Sequence, residues 1–89
     1  MRVLLFSILD TVAGVFMSPF VARSEVDAIR QIAASKSDPN IASTPVGTNP
    51  RDFVLYELGF LDDETGQIFP VFPPRRVSPV ADIWGGDAP

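Results

Sequence analysis

The sequence predicts an α+β fold: a small antiparallel sheet of three to four strands, in the order strand-strand-helix-strand-strand, with one helix packed on one face and an extended Pro-rich C-terminal tail. Three observations predict it. Two stretches rich in β-branched and aromatic residues each run into Gly-containing turn chemistry, at Asp10–Gly14 and Asp62–Gly66. Between them lies one amphipathic segment that opens on an N-capping Ser. From Phe69 onward prolines crowd the chain and periodicity stops. The domain is therefore expected over residues 1–72 and the tail over 73–89.

Composition limits what such a chain can do. Eighty-nine residues make one domain, which buries only about 60–65% of its unfolded surface and gains from a partner. There is no Cys and no His. Disulfides, thiolate metal sites and the commonest general base are thereby excluded. No enzyme activity, cofactor or metal is expected. The formal charge is −4 and the pI about 4.4. Lys36 is the only Lys, and of the six Arg only Arg75 and Arg76 are adjacent. Counterion release by clustered cations drives nucleic-acid binding, and such clustering is sparse here.

Residues 1–23 allow two readings. Arg2 followed by Val3–Leu9 resembles the start of a secretory signal. Extension of that run into a membrane span meets Asp10 near its middle and Pro19 at its end, and Asp costs about 2.5–3.5 kcal/mol at the centre of an inserted helix. The preferred reading is a β-hairpin: Val3–Leu9, a turn at Asp10–Gly14, and a second strand over Val15–Ala22. Pro19 cannot donate to a ladder, which places that strand at an edge or a bulge.

Ser24-Glu25-Val26-Asp27 has the S-x-x-D form of a helix start. The helix should run from about Glu25 to Ser35, with Val26, Ile29, Ile32 and Ala33 on its apolar stripe and Ala28 beside them. Glu25, Asp27, Arg30, Gln31 and Ala34 then fall on the other side. Arg30 reads as a solvated face residue near Asp27. Asp38-Pro39 ends the helix, and residues 38–50 read as a loop without periodicity.

Asp52–Leu61 is the third strand, with Phe53, Leu55 and Glu57 on one side and Val54, Tyr56 and Leu58 on the other. Apolar residues on both sides suit a central strand. Asp62-Asp63-Glu64-Thr65-Gly66 fits a type I turn closed by a positive-φ Gly. A calcium loop would need further oxygen ligands beyond Gly66, so the acids read as a solvated turn. Gln67–Val71 is the fourth strand, ended near Pro70. The tail carries Pro70-x-x-Pro73-x-Arg75, a pattern of proline-helix ligands. Trp84, the only Trp, either folds back on the domain or docks on a neighbour. Phe72 and Trp84 are the candidate partner-binding residues.

Several short pieces, in order, carry a resemblance. They are Phe6-Ser7-Ile8-Leu9-Asp10 with Ala13-Gly14, Ser18-Pro19-Phe20-Val21-Ala22, Ala28-Ile29-Arg30 and Asp38-Pro39. The strongest is Pro50-Arg51-Asp52-Phe53-Val54-Leu55-Tyr56 with Leu58 to Gly66. Together they resemble the small nonstructural, fifth-reading-frame protein of gokushovirus-type microviruses, phages with single-stranded DNA genomes. The likeness spans roughly residues 3–70. It implies a non-catalytic nonstructural accessory protein of the host cytoplasm, acting in genome replication or packaging, with DNA binding as one route. Contact with single-stranded DNA would run through Arg23, Arg51, Arg75 and Arg76. The alternative is an interaction module that binds a viral or host replication or capsid protein without touching DNA. The strands are apolar on both sides and a single helix covers one, so a homo-oligomer is expected.

Overall fold

The computed structural model describes residues 1–85. Strand β1 (Arg2–Asp10) and strand β4 (Phe53–Asp62) form the centre of one antiparallel sheet. On the outer edge of β1 lie two short strands, β2 (Val15–Phe16) and β3 (Phe20–Ala22). On the outer edge of β4 lies β5 (Ile68–Pro79). The expected first hairpin is therefore present, with its return strand split at Met17-Ser18-Pro19. Ser7 pins the split: its Oγ donates to the Met17 carbonyl at 2.6 Å, and the Met17 N–H donates to the Ile8 carbonyl at 2.8 Å. Gly14, at φ 75°, closes the turn. The second hairpin also has the expected turn, since the Gly66 N–H donates to the Asp62 carbonyl at 2.7 Å with Gly66 at φ 78°.

The register decides which residues share a face. Leu4, Phe6 and Ile8 pair with Phe60, Glu57 and Leu55. Leu58 is an extra residue in β4 at this point, so the alternation shifts by one and Phe60, not Leu61, ends up beside Leu4. Helix α1 (Glu25–Ser35) packs on this face. Its bounds agree with the sequence reading because Ser24 Oγ accepts the Asp27 N–H at 3.1 Å, while Asp27 accepts the Arg23 N–H at 3.0 Å. The buried stripe is rotated from the expected one. Ala28 and Ile32 are buried with Ile29 against the core, whereas Val26 and Ala33 are exposed.

Residues 38–50 are not an aperiodic loop. They form two single turns, α2 (Pro39–Ala42) and α3 (Pro45–Thr48), followed by a 3-10 turn at Pro50–Asp52. Asp38 and Thr44 cap these turns from the N-cap position, each followed by Pro at the first helical position. The two turns pack so tightly that a Cβ on Gly47 would lie 2.2 Å from the Ile41 carbonyl oxygen.

The largest departure is at the C-terminal end. Residues 73–79, expected in a trailing tail, belong to β5, and Val80–Gly85 form helix α4. The boundary expected at 72/73 thus falls inside a strand. Val80 and Trp84 enter the same core as Phe6, Ala28, Ile32 and Leu55. Trp84 Nε1 donates to the Ile32 carbonyl at 2.7 Å, and Lys36 Nζ donates to the Trp84 carbonyl at 2.9 Å. Full burial of Phe6, Leu55 and Val80 contributes about 1.5–3 kcal/mol each. One face of the sheet is therefore closed by α1 and α4 together.

Candidate functional site

The second face of the sheet carries no helix among the described residues, but it is only partly open: Ser7 at its centre is fully buried and Val54 is 7% exposed. Val3, Leu5, Ser7 and Leu9 of β1 lie on it, paired with Leu61, Gly59, Tyr56 and Val54 of β4, and its three apolar β1 side chains are half-buried. None of these residues belongs to the helix-covered core. Phe16 and Val21 extend the face across the outer edge of β1, where both are exposed. Tyr56 stands at its centre, edge-on to Phe16 with ring centroids 5.5 Å apart. Ile68 and Arg76 continue it onto β5, paired with Leu61 and Tyr56. No acidic residue occupies a position on this face. The face is apolar, and Arg76 brings a cation to its β5 side.

A second feature stands at the β5 edge. Between Pro70, paired with Gly59, and Arg75, paired with Glu57, four residues of β5 face the single Leu58. Val71-Phe72-Pro73-Pro74 consequently bulges out, and Phe72 is 90% exposed. An exposed aromatic on a backbone held at both ends suits a protein contact.

The four arginines singled out as DNA contacts are not brought together. Arg23 follows Ala22, which pairs with Leu4 near the start of β1. Arg51 precedes Asp52, whose carbonyl accepts the Thr11 N–H just past the end of β1. At about 3.3 Å per residue the two lie roughly 20 Å apart along that strand. Arg75 and Arg76 are adjacent and point to opposite faces. Arg75 bonds Glu25 at the start of α1 and donates from Nε to Glu57 at 2.8 Å. These carboxylates, Glu25 first, raise the guanidinium pKa further above its ordinary value. Arg23 shares a shallow cleft with Arg2 and with Asp27 and Asp63. Among the described residues only Arg75 of the four forms ion pairs, and no basic track forms from this set.

Of the two courses expected for Trp84, the chain takes the inward one. Trp84 is 8% exposed and works inside the domain. Phe72, the other candidate, stands exposed on the β5 bulge. At the acidic turn, the Asp62 carboxylate accepts the Glu64 N–H at 3.0 Å, and this bond holds its pKa below the usual carboxylate value. The carboxylate caps its own turn, and among the described residues no group of acids is arranged to hold a metal ion. No helix among them is long and apolar enough to cross a membrane.

A family model described as phage ORF5 protein matches residues 3–83. The chain belongs to the phage ORF5 protein family. The match runs past the Pro-rich stretch into α4, so β5 and Val80 to Ile83 lie within the ORF5 region. No curated protein and no solved structure matches the chain. The open face of this ORF5 protein was foreshadowed by the two-sided apolar pattern of its strands. The Phe72 bulge was not, because its only signal was a cluster of prolines that also fits an unpaired tail.

Proposed function

We propose that this phage accessory protein is a non-catalytic, nonstructural protein of a gokushovirus-type phage. It serves single-stranded DNA genome replication or packaging in the host cytoplasm, and it does so through protein contacts. The observation that carries this reading is the pairing of an open apolar sheet face with a projecting Phe72, alongside dispersed arginines. Apolar patches of this kind rarely stay wet on soluble proteins. Phosphate tracking, by contrast, needs cations in a row.

A second reading, direct contact with single-stranded DNA, draws on Arg76 beside Tyr56 and Phe16, because bases stack on exposed aromatic rings. Titration of the full chain with single-stranded DNA at about 50 and 200 mM salt separates the two. The protein-contact reading expects no measurable binding at either. An affinity that is high at low salt and collapses at high salt would replace it with the DNA reading.

A further inference from the structure

We infer that the open sheet face is covered by a second copy of the chain, in a two-fold, face-to-face sheet sandwich centred on Tyr56, which leaves the Phe72 bulge of each copy outside for a further partner. The inference rests on reading the open face as a protein contact surface.

Charge narrows the occupant first. The chain carries a net charge of −4, yet no strand position on this face holds an acid; Asp27 and Asp63 line only the cleft at its Val3–Val21 corner, with Arg2 and Arg23 beside them. Two copies can therefore approach here without burying a like-charged pair of carboxylates at the middle of the contact. Nucleic acid and anionic membrane surfaces both require a basic rim, and Arg76 is the one cation the register places on the face. It sits on edge strand β5, where its head can stay in water while its stem covers apolar surface.

Geometry narrows it further. Edge-to-edge pairing would extend the sheet through β3 or β5, but the outer edge of β1 is broken at Pro19 and β5 carries Pro70, Pro73, Pro74 and Pro79. Proline removes the donors such pairing needs. Face-to-face packing needs none. Four ranks of strand at about 4.8 Å spacing and about nine residues at about 3.3 Å rise give a face roughly 19 by 30 Å. That footprint, roughly 570 Å², falls just short of the about 600–1,000 Å² per partner of a standard stable interface. An isologous contact brings Tyr56 and Phe16 of both copies to the middle, where aromatic anchors act as hot spots.

The chain has no Cys, so a single introduced one reports the face directly. The full native chain should sediment as a dimer at micromolar concentration. A bifunctional maleimide reagent that spans the roughly 13–20 Å between two Val21 positions placed about a Tyr56 axis should join Val21→Cys, on this face, into a covalent dimer, and should not join Val26→Cys, exposed on α1. Tyr56→Glu should weaken self-association by roughly thirtyfold or more, the least a hot-spot aromatic contributes, while Phe72→Ala leaves it unchanged. A monomeric native chain overturns the inference, as does cross-linking at Val26 equal to that at Val21. Neither outcome touches the protein-contact reading, which the DNA titration decides by itself.

Discussion

Gly59 shows how much one residue can carry. It pairs with Leu5 on one side and Pro70 on the other, at φ 145°, beside the two irregularities that set the faces of the sheet. A Cβ there would lie 2.3 Å from the Phe69 carbonyl oxygen, and that backbone cannot retreat without breaking the ladder. Gly59→Ala should therefore cost about 2 kcal/mol or more, strain and overpacking combined. Gly14, with open space around it, provides the control at about 1 kcal/mol. Urea denaturation of both variants checks the difference, and equal losses would show that the close approach is relieved elsewhere. In the sequence the two glycines look alike. Gly14 announced itself by its turn, but the demand on Gly59 arises from β5, a strand that the local sequence ends too early.

Among the elements, α1 was legible to the residue because its start is written in side-chain chemistry: Ser24 takes up the Asp27 N–H of the first turn, and Asp27 takes up the Arg23 N–H just before it. Its buried stripe was less so. Stripe direction depends on where β3 and α4 stand, and α4 was hidden by the prolines around it. Val80, Ile83 and Trp84 do recur at helical spacing, but six residues are too few for periodicity to outweigh composition. Similarly Asp38-Pro39 and Thr44-Pro45 are helix starts as well as stops, and only packing of Gly47 on Ile41 selects the first role. Trp84 gives α4 its hold. Trp84→Phe should lose about 1 kcal/mol with the hydrogen bond to Ile32, and Trp84→Ala about 3–5 kcal/mol through the cavity it leaves. Far-UV circular dichroism during denaturation reads both without needing the sole tryptophan; similar small losses for the two would mean that α4 does not close the core.

For the whole molecule, the helix-covered core is completed from the end of the chain. Phe6 and Leu55 come from the central strands, Ala28 and Ile32 from α1, and Val80 and Trp84 from α4. Deletion of residues 73–89 should accordingly abolish the cooperative thermal transition and expose surface that binds a hydrophobic dye. A retained sharp transition would return these residues to the status of a tail. The same whole-molecule view separates the candidate residues. Arg75 is drawn into the ion pairs that join α1 to the sheet, Arg76 is sent to the open face, and Arg23 and Arg51 are held at opposite ends of β1.

By itself the sequence determined the α+β class, the two hairpin turns, the limits of α1 and the existence of a second apolar sheet face. Each of these follows from local chemistry or from a period of two or 3.6 that neighbouring residues impose on one another. Tertiary structure alone decided that β5 runs through its prolines, that Trp84 turns inward and that the arginines scatter. Those outcomes depend on partners far away in the chain: Leu55 and Tyr56 recruit Ser78 and Arg76, and Ile32 receives Trp84. A proline-rich edge strand and a proline-rich tail have the same local pattern. What separates them is a long-range ladder on the edge of β4, which only the folded chain supplies.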